Sequence, residues 1–431
     1  MYPYGLFAED AILRYKELPE EQNELYKKEF VSLSPEHLLD IYQNRAIAPD
    51  TPANLYAVTK SLFINGEIRF DVIIGGSCHV VNPNARYVTV LPVSDIKIDA
   101  LDSKLYKSSE DKFAALVHAF TKELVLIDVP KGVKAKINLL FLNLAAPLAT
   151  QVIINTGEES ELDILEWYAS STKTDSASGV MHEGKVGAYS NVSIDAIHNE
   201  DRNTVVVGLS KYNISNNANL RLNYFYNGGS SSRAKNRFAA TGYEGSVHVN
   251  ELTFGSAKQK FDVTSNIENA APSTTAELHS RAVLMGESRC IMKGFAKIPF
   301  GSKNARSFVH ESGMLLDKSA YLNSMPAMSI DENEVKATHA SATGPIDDEL
   351  IFYLMSKGLD EHNAKKLIVE GFFSSSIGRF KNINAKLAGA SLIAEKMANG
   401  SFGNPLKLSM ENIWVGRENE EDIFKGHYKY R

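Results

Sequence analysis

The stretch Leu220-Arg221-Leu222-Asn223-Tyr224-Phe225-Tyr226 decides the fold class. Leu220, Leu222, Tyr224 and Tyr226 recur at period two and Arg221 and Asn223 fall between them, the pattern of a strand that buries one face. Asn216-Asn217-Ala218-Asn219 precedes it and Gly228-Gly229-Ser230-Ser231-Ser232 follows, residue types that accept left-handed backbone angles and mark turns. The same alternation extends outward to Ile68–Ile74, Leu124–Val129, Val152–Ile154, Leu162–Trp167, Val192–Ile197, Val205–Leu209, Val247–Phe254 and Ile291–Ile298, with a further turn at Gly301–Ala305. Many short strands without intervening helices leave a sandwich or a wound β-solenoid. No clean repeat period can be read by eye, so length and strand density carry the choice of solenoid.

Both ends read as helices. Pro19-Glu20-Glu21 and Ser34-Pro35-Glu36 each place proline and acids in a first helical turn, and Leu38, Leu39 and Tyr42 share a face of the second. Near the other end Gly344-Pro345 breaks the strand pattern and Asp347-Asp348-Glu349 opens a helix with Leu350, Ile351 and Leu354 as its stripe, closed by Gly358. Asp360 caps a second helix with Ala364, Leu367, Ile368 and Phe372 as its stripe and Gly371 near its end; a third starts near Ser374. The expected organisation is a helical region over 1–60, a β core over 61–343 and a helical region over 344–431.

Hydrophobic residues make up 44% of the 431 and charged residues 23%, ordinary for a globular protein, and the net charge of −6 argues against nucleic acid and anionic membranes as partners. The two cysteines, Cys78 and Cys290, are too few for a disulfide framework and suggest a reducing, cytoplasmic setting. The start of the chain, with Glu9 and Asp10, lacks the pattern of a signal peptide. The run Leu139–Leu148 is about half of the roughly 20 apolar residues a spanning helix needs and reads as a buried strand or loop.

Motifs of intrinsic catalysis are absent from the sequence. Gly184-Lys185 is followed by Val186, so there is no phosphate loop; His182-Glu183 and His310-Glu311 lack the second histidine of a metalloprotease helix; no nucleophile elbow or dinucleotide fingerprint occurs. No enzymatic activity is expected. His339, placed between the last strand and the first C-terminal helix, is by chemistry alone more often a structural histidine than a ligand, although imidazole suits iron. Glu311 and Asp331 could offer carboxylate oxygens, but carboxylates in turns are mostly solvated. Cys78 reads as a small buried residue, with His79 pointing to the opposite strand face. Arg233–Arg237 reads as a polar turn and not as a nucleic-acid patch.

The C-terminal stretch carries a resemblance. His339-Ala340-Ser341-Ala342-Thr343-Gly344, Phe352-Tyr353-Leu354, Ser356-Lys357-Gly358 and Gly371-Phe372, in that order, resemble the signature of the SufB/SufD family of iron–sulfur cluster assembly. Leu315-Leu316, Ala320, Pro326 and Ile330 resemble its upstream pattern, and Asp111–Phe120 with Val129–Val133 the entry to its core. Ala340-Ser341, Met328-Ser329 and Lys357 depart from the usual residues. The resemblance implies a right-handed parallel β-helix flanked by helical regions and a non-catalytic scaffold in the SufBCD complex. It also implies a SufB-like paralogue as partner, with a homodimer open in isolation, and a SufC ABC ATPase on the C-terminal helices, where Phe352, Tyr353, Leu354, Gly358, Gly371 and Phe372 fall. No stably bound cofactor is implied: His339 would face a nascent iron–sulfur cluster shared with SufB, Glu311 is kept beside it with less weight on carboxylate chemistry alone, and flavin binding stays open. His310-Glu311-Ser312-Gly313-Met314 has no thiol where SufB carries its cysteine, which points to the SufD side of the family. The alternatives are a SufB-like paralogue using Cys290 and a β-solenoid polysaccharide-active enzyme.

Overall fold

A computed structural model describes residues 4–19, 34–44, 70–75, 77–82, 85–93, 106–144, 147–172 and 175–399. The helix expected from Pro19 onward falls, from Glu20, outside the described residues, as does the chain after 399. Among the described residues, strands form two sheets. The first holds β1 (Val72–Ile74), β2 (Cys78–Val80), β5 (Lys134–Asn143), β7 (Glu161–Ser170), β9 (Asn191–Asn199), β11 (Asn219–Tyr226), β13 (Ser246–Gly255), β15 (Thr275–Leu284), β17 (Arg306–Leu315) and β20 (Lys336–Pro345). The second holds β3 (Val88–Pro92), β4 (Glu123–Val129), β6 (Leu148–Thr156), β8 (Ser176–Val186), β10 (Thr204–Ile214), β12 (Ser231–Ala240), β14 (Lys260–Asn269), β16 (Arg289–Ile298), β18 (Tyr321–Ser324) and β19 (Ala327–Ile330). Beyond the antiparallel β1–β2 and β3–β4 pairs every pairing is parallel, and from β4 onward the chain alternates between the sheets except that β18 and β19 both belong to the second, so the protein is a parallel β-solenoid of about 8 turns.

The period that the eye misses is irregular. Asn219 sits beside Ser246, a step of 27, whereas Thr275 sits beside Arg306, a step of 31. The variation is taken up in the turns, and one turn edge keeps a fixed geometry. Glu159, Tyr189, Asn217, Glu244, Ser273 and Asn304 each occupy the left-handed region, with φ between 50° and 60°. Each donates its N–H to a carbonyl of the next coil, Tyr189 to Asn216 and Asn217 to Tyr243 for example. The strained residue in each coil is therefore held by the ladder that stacks the coils.

Three apolar layers follow. The lumen between the sheets is filled by residues such as Ile164, Val192, Leu220, Val247 and Leu278. The outer face of the second sheet, with Ala177, Met181, Val205, Val207 and Leu209, is covered by α1 (Tyr4–Glu17), α2 (Pro35–Asn44) and α3 (Lys112–Phe120). The outer face of the first sheet, with Leu165, Trp167, Ile197, Phe225 and Phe254, receives α5 (Glu361–Ile377) and α6 (Ile383–Asn399) through Val369, Phe373, Ile377 and Leu392. Strands buried on both faces lose the clean alternation, which is why β8, Ser176–Val186, carries almost no polar-out signal. Lys396, 2% exposed, donates to the Asn227 carbonyl at 2.7 Å and to that of Phe254, pinning α6 to the sheet.

Several local expectations are corrected. Arg233–Arg237 is not a turn but the middle of β12, where Lys235 bonds Asp111 at 2.6 Å and Arg237 meets Glu110; the charges face the N-terminal cap. The core contains a helix, α3, capped by Asp111, which accepts from Ala114 N at 2.8 Å. Gly371 lies inside α5, which runs on to Ile377, and the third helix begins at Ile383 and not near Ser374. The buried stripe of α5 is Ala364, Val369, Phe373 and Ile377, whereas Leu367 is exposed. The N-cap Asp360 holds as read, and Asp347, expected in the first turn with Asp348 and Glu349, is instead the N-cap that precedes that turn.

Candidate functional site at the last coil

His339 lies within β20, not after the last strand. Its Cα pairs with Val309 of β17, a lumenal residue, so His339 stands on the lumenal side of the terminal coil. Nothing in the described structure stacks on β20. Among the described residues it pairs only with β17, and His339, Ser341 and Thr343 are exposed. A ten-residue strand with one unpaired edge is an invitation to another chain.

Glu311 is two residues beyond Val309 and pairs in register with Ser341, on the same face as His339. The expectation of a solvated turn carboxylate is wrong for it: it is 0% exposed in the middle of β17. Its Oε1 accepts from the backbone N–H of Gly294 at 2.6 Å, its Oε2 from Ser324 Oγ, and Ser324 Oγ lies 2.6 Å from Ser341 Oγ. Burial pushes its pKa up to about 7 despite those donors. Asp331, in the turn after β19, is exposed. His310 points to the other face, where its Nε2 lies 2.8 Å from Ser312 Oγ.

The cysteines stand apart from this coil's surface. Cys290 is buried in the lumen on β16, and burial raises its thiol pKa well above the usual value. Cys78 belongs to β2 at the opposite end, half-buried, its thiol also pushed up by burial and by Glu123. Neither meets the conditions for a reactive thiolate.

The predicted docking residues sit on separate elements. α4 (Asp348–Ser356) buries Ile351 and turns Phe352, 74% exposed, and Tyr353, 55% exposed, to solvent, while Leu354 packs with Ile346 and Ala364. Gly358, at φ +98°, ends the helix in the conformation glycine favours. Gly371 is exposed on α5. Phe372 is half-buried beneath the guanidinium of Arg281, 5.2 Å from its ring centre. Sequence reading named His339 and Glu311 separately; the coil register brings them to one face and adds Ser324 and Ser341, which the sequence reading missed.

The profile of the family described as SUF system FeS cluster assembly, SufBD core domain, matches residues 143–372. The chain belongs to the SufBD family. A SufBD family iron–sulfur cluster assembly protein of Mycobacterium tuberculosis is 28% identical over 132 residues, 31% of this chain and 16% of the relative. A Pyrococcus horikoshii SufBD family protein is 25% identical over 279 residues, 62% of this chain and 61% of that one. The iron–sulfur cluster assembly protein SufD of Bacillus subtilis is 25% identical over 146 residues, 34% of this chain and 33% of its own length. The matches thus cover less than two thirds of each relative. The SufBD core spans the coils from the end of β5 through β20 to α5, including His339, Glu311 and the face of α4. Among the described residues no helix is long and apolar enough to cross a membrane.

Proposed function

We propose that this chain is a SufD-like, non-catalytic scaffold subunit of a SufBCD complex, working in the cytoplasm in iron–sulfur cluster assembly. A SufB-like paralogue pairs with the open edge of β20, and a SufC ATPase docks on the C-terminal helices through the exposed face of α4. The observation that carries this reading is the pairing of an exposed imidazole with an absent thiol. His339 stands on the unpaired last strand, and both cysteines of the chain lie elsewhere, one buried in the lumen and one at the far end. Such an end offers a nitrogen ligand and a carboxyl group behind it, but the thiolate that a nascent cluster also needs has to come from a partner. The cluster is cargo of the complex.

The test is reconstitution with a cysteine-bearing paralogue and the ATPase. His339→Ala should leave the assembly intact on a sizing column and lower the yield of cluster; an unchanged yield removes the ligand role. Failure of the wild-type chain to co-purify with either partner sinks the complex itself. The SufB-like alternative, with Cys290 as sulfur acceptor, requires a thiol that reagents reach in the folded chain.

A further inference from the structure

Three of the chain's eleven histidines gather on the outer face of the first sheet, on the side of the strands away from His339. Val247, Val249, Leu278 and Val309 fill the lumen, so their neighbours along each strand point outward: His248 and Asn250 on β13, Glu277 and His279 on β15, and His310 on β17. The register sets these side chains in two short rows. His248 stands beside Glu277, and Asn250 stands beside His279, which in turn stands beside His310. Glu277 Oε2 lies 3.1 Å from His248 Nδ1 and 3.8 Å from His279 Nε2, and the ring centres of His279 and His310 are 6.1 Å apart. The side chains of His248, Glu277 and His279 are 35%, 31% and 26% exposed, so an ion in solution can reach them.

We propose that His248, Glu277, His279 and His310 form a binding site for a divalent transition-metal ion of the zinc or nickel kind. Two ligand atoms about 2.1 Å from a tetrahedral ion stand about 3.4 Å apart. The two N···O separations at Glu277 straddle that value. Imidazoles with one carboxylate select such ions over Mg2+ and Ca2+, which take oxygen ligands. Among the described residues no three such side chains already enclose one point, so His279 has to turn for the site to close. A buried acceptor favours that turn. Asn250 is 3% exposed, and its Nδ2 donates to Asn223 Oδ1 on the preceding coil and to the Ser376 carbonyl of α5, both at 3.1 Å, while its Oδ1 has no partner. With Nδ2 spent toward the preceding coil, Oδ1 is left on the side of the next one, where His279 stands. An imidazole that binds a metal through one nitrogen directs its other N–H at such an acceptor, which fixes its tautomer and orientation. Turning His279 onto the ion therefore also pairs a buried oxygen that otherwise has no donor.

The competing account is that Glu277 only pairs two surface imidazoles, a contact of little consequence for stability. Uptake of Ni2+ and of Zn2+ by the untagged full chain at neutral pH, followed by equilibrium dialysis, separates the two. The site predicts an ion that excess Mg2+ does not displace and that raises the melting temperature, since it binds the folded chain. His248→Ala and His279→Ala should each weaken its binding roughly tenfold or more and remove the rise in melting temperature. Both side chains are partly exposed, so the variants should fold, and circular dichroism without metal checks that they do. No uptake by the wild type, or uptake by both alanine variants at the wild-type affinity, overturns the site. His339→Ala should keep the ion. An ion that leaves with His339→Ala and stays in His279→Ala belongs to the last coil and overturns the site equally. The site does not rest on the assembly reading above, so loss of cluster in the His339 variant and loss of the ion in the His248 and His279 variants report on different claims.

Discussion

The backbone N–H of Gly294 donates to Glu311 Oε1 at 2.6 Å, and a Cβ at position 294 would lie 2.8 Å from that same oxygen. The same Cβ would also meet Val309 and Leu278 side chains at 2.7 and 2.9 Å. Glycine is thus what lets a buried carboxyl group lie against the opposite strand in the last full coil. Gly294→Ala should displace Glu311 and leave it without its backbone donor, at a cost on the order of 2 kcal/mol or more. Urea unfolding gives the value, and a loss below about 0.5 kcal/mol would show that Glu311 relaxes freely.

Stability should fall as pH rises through neutrality. Burial lifts Glu311 to about 7 and Glu166 to about 8, both above the ordinary glutamate value near 4.5. A carboxyl group whose folded pKa is raised stabilises the fold fully below its unfolded pKa and loses that contribution as pH climbs to the folded one. The window is therefore about pH 5 to 8, with a slope toward lower stability at the alkaline end. Unfolding free energies across that range should decline in the wild type and decline less in Glu311→Gln; identical slopes for the two would mean that Glu311 titrates normally.

The C-terminal helices hold two kinds of phenylalanine, and substitution should separate them. Phe373 is 0% exposed, its ring centre 5.8 Å from that of Phe254 and 6.3 Å from that of Phe225. Phe373→Ala removes that packing at about 3–5 kcal/mol, read in thermal or denaturant unfolding. Phe352 is 74% exposed, so Phe352→Asp should change stability by less than about 0.5 kcal/mol. If it leaves capture of the ATPase subunit unchanged as well, the exposed face of α4 is not the docking surface.

How much of this was legible in the sequence depended on where each strand faces. Segments with one wet or lumenal-only apolar set, such as Leu220–Tyr226, declared themselves through alternation. β12 did not, because Arg233, Lys235 and Arg237 point outward to the acids Glu110, Asp111 and Asp262 and look like a polar turn when those partners are unknown. Glu311 was misplaced for the same reason: a carboxylate between His310 and Ser312 reads as solvated until the coil register sets it opposite Gly294. The helix starts at Asp347 and Asp360 were legible because both side chains act on backbone within three residues. His339 was found through motif and not through chemistry, and the terminal strand that exposes it has no local signal at all.

The buried thiol offers the last discriminating measurement. Cys290 pairs in register with Phe261 and Leu322 in the lumen, and Glu251, Asp262 and Glu311 add negative charge around it. Both burial and that charge disfavour the thiolate, the only form that attacks sulfur or alkylating reagents. Cys78 has its backbone N–H on the Glu123 carboxylate, and burial together with that carboxylate raises its thiol pKa too. Native protein treated with iodoacetamide at neutral pH should therefore show almost no labelling at position 290, and full labelling after unfolding in urea. Rapid labelling of Cys290 in the folded chain would mean the lumen opens at its last coil and would revive this residue as a sulfur acceptor, the role that distinguishes a SufB-like chain from a SufD-like one.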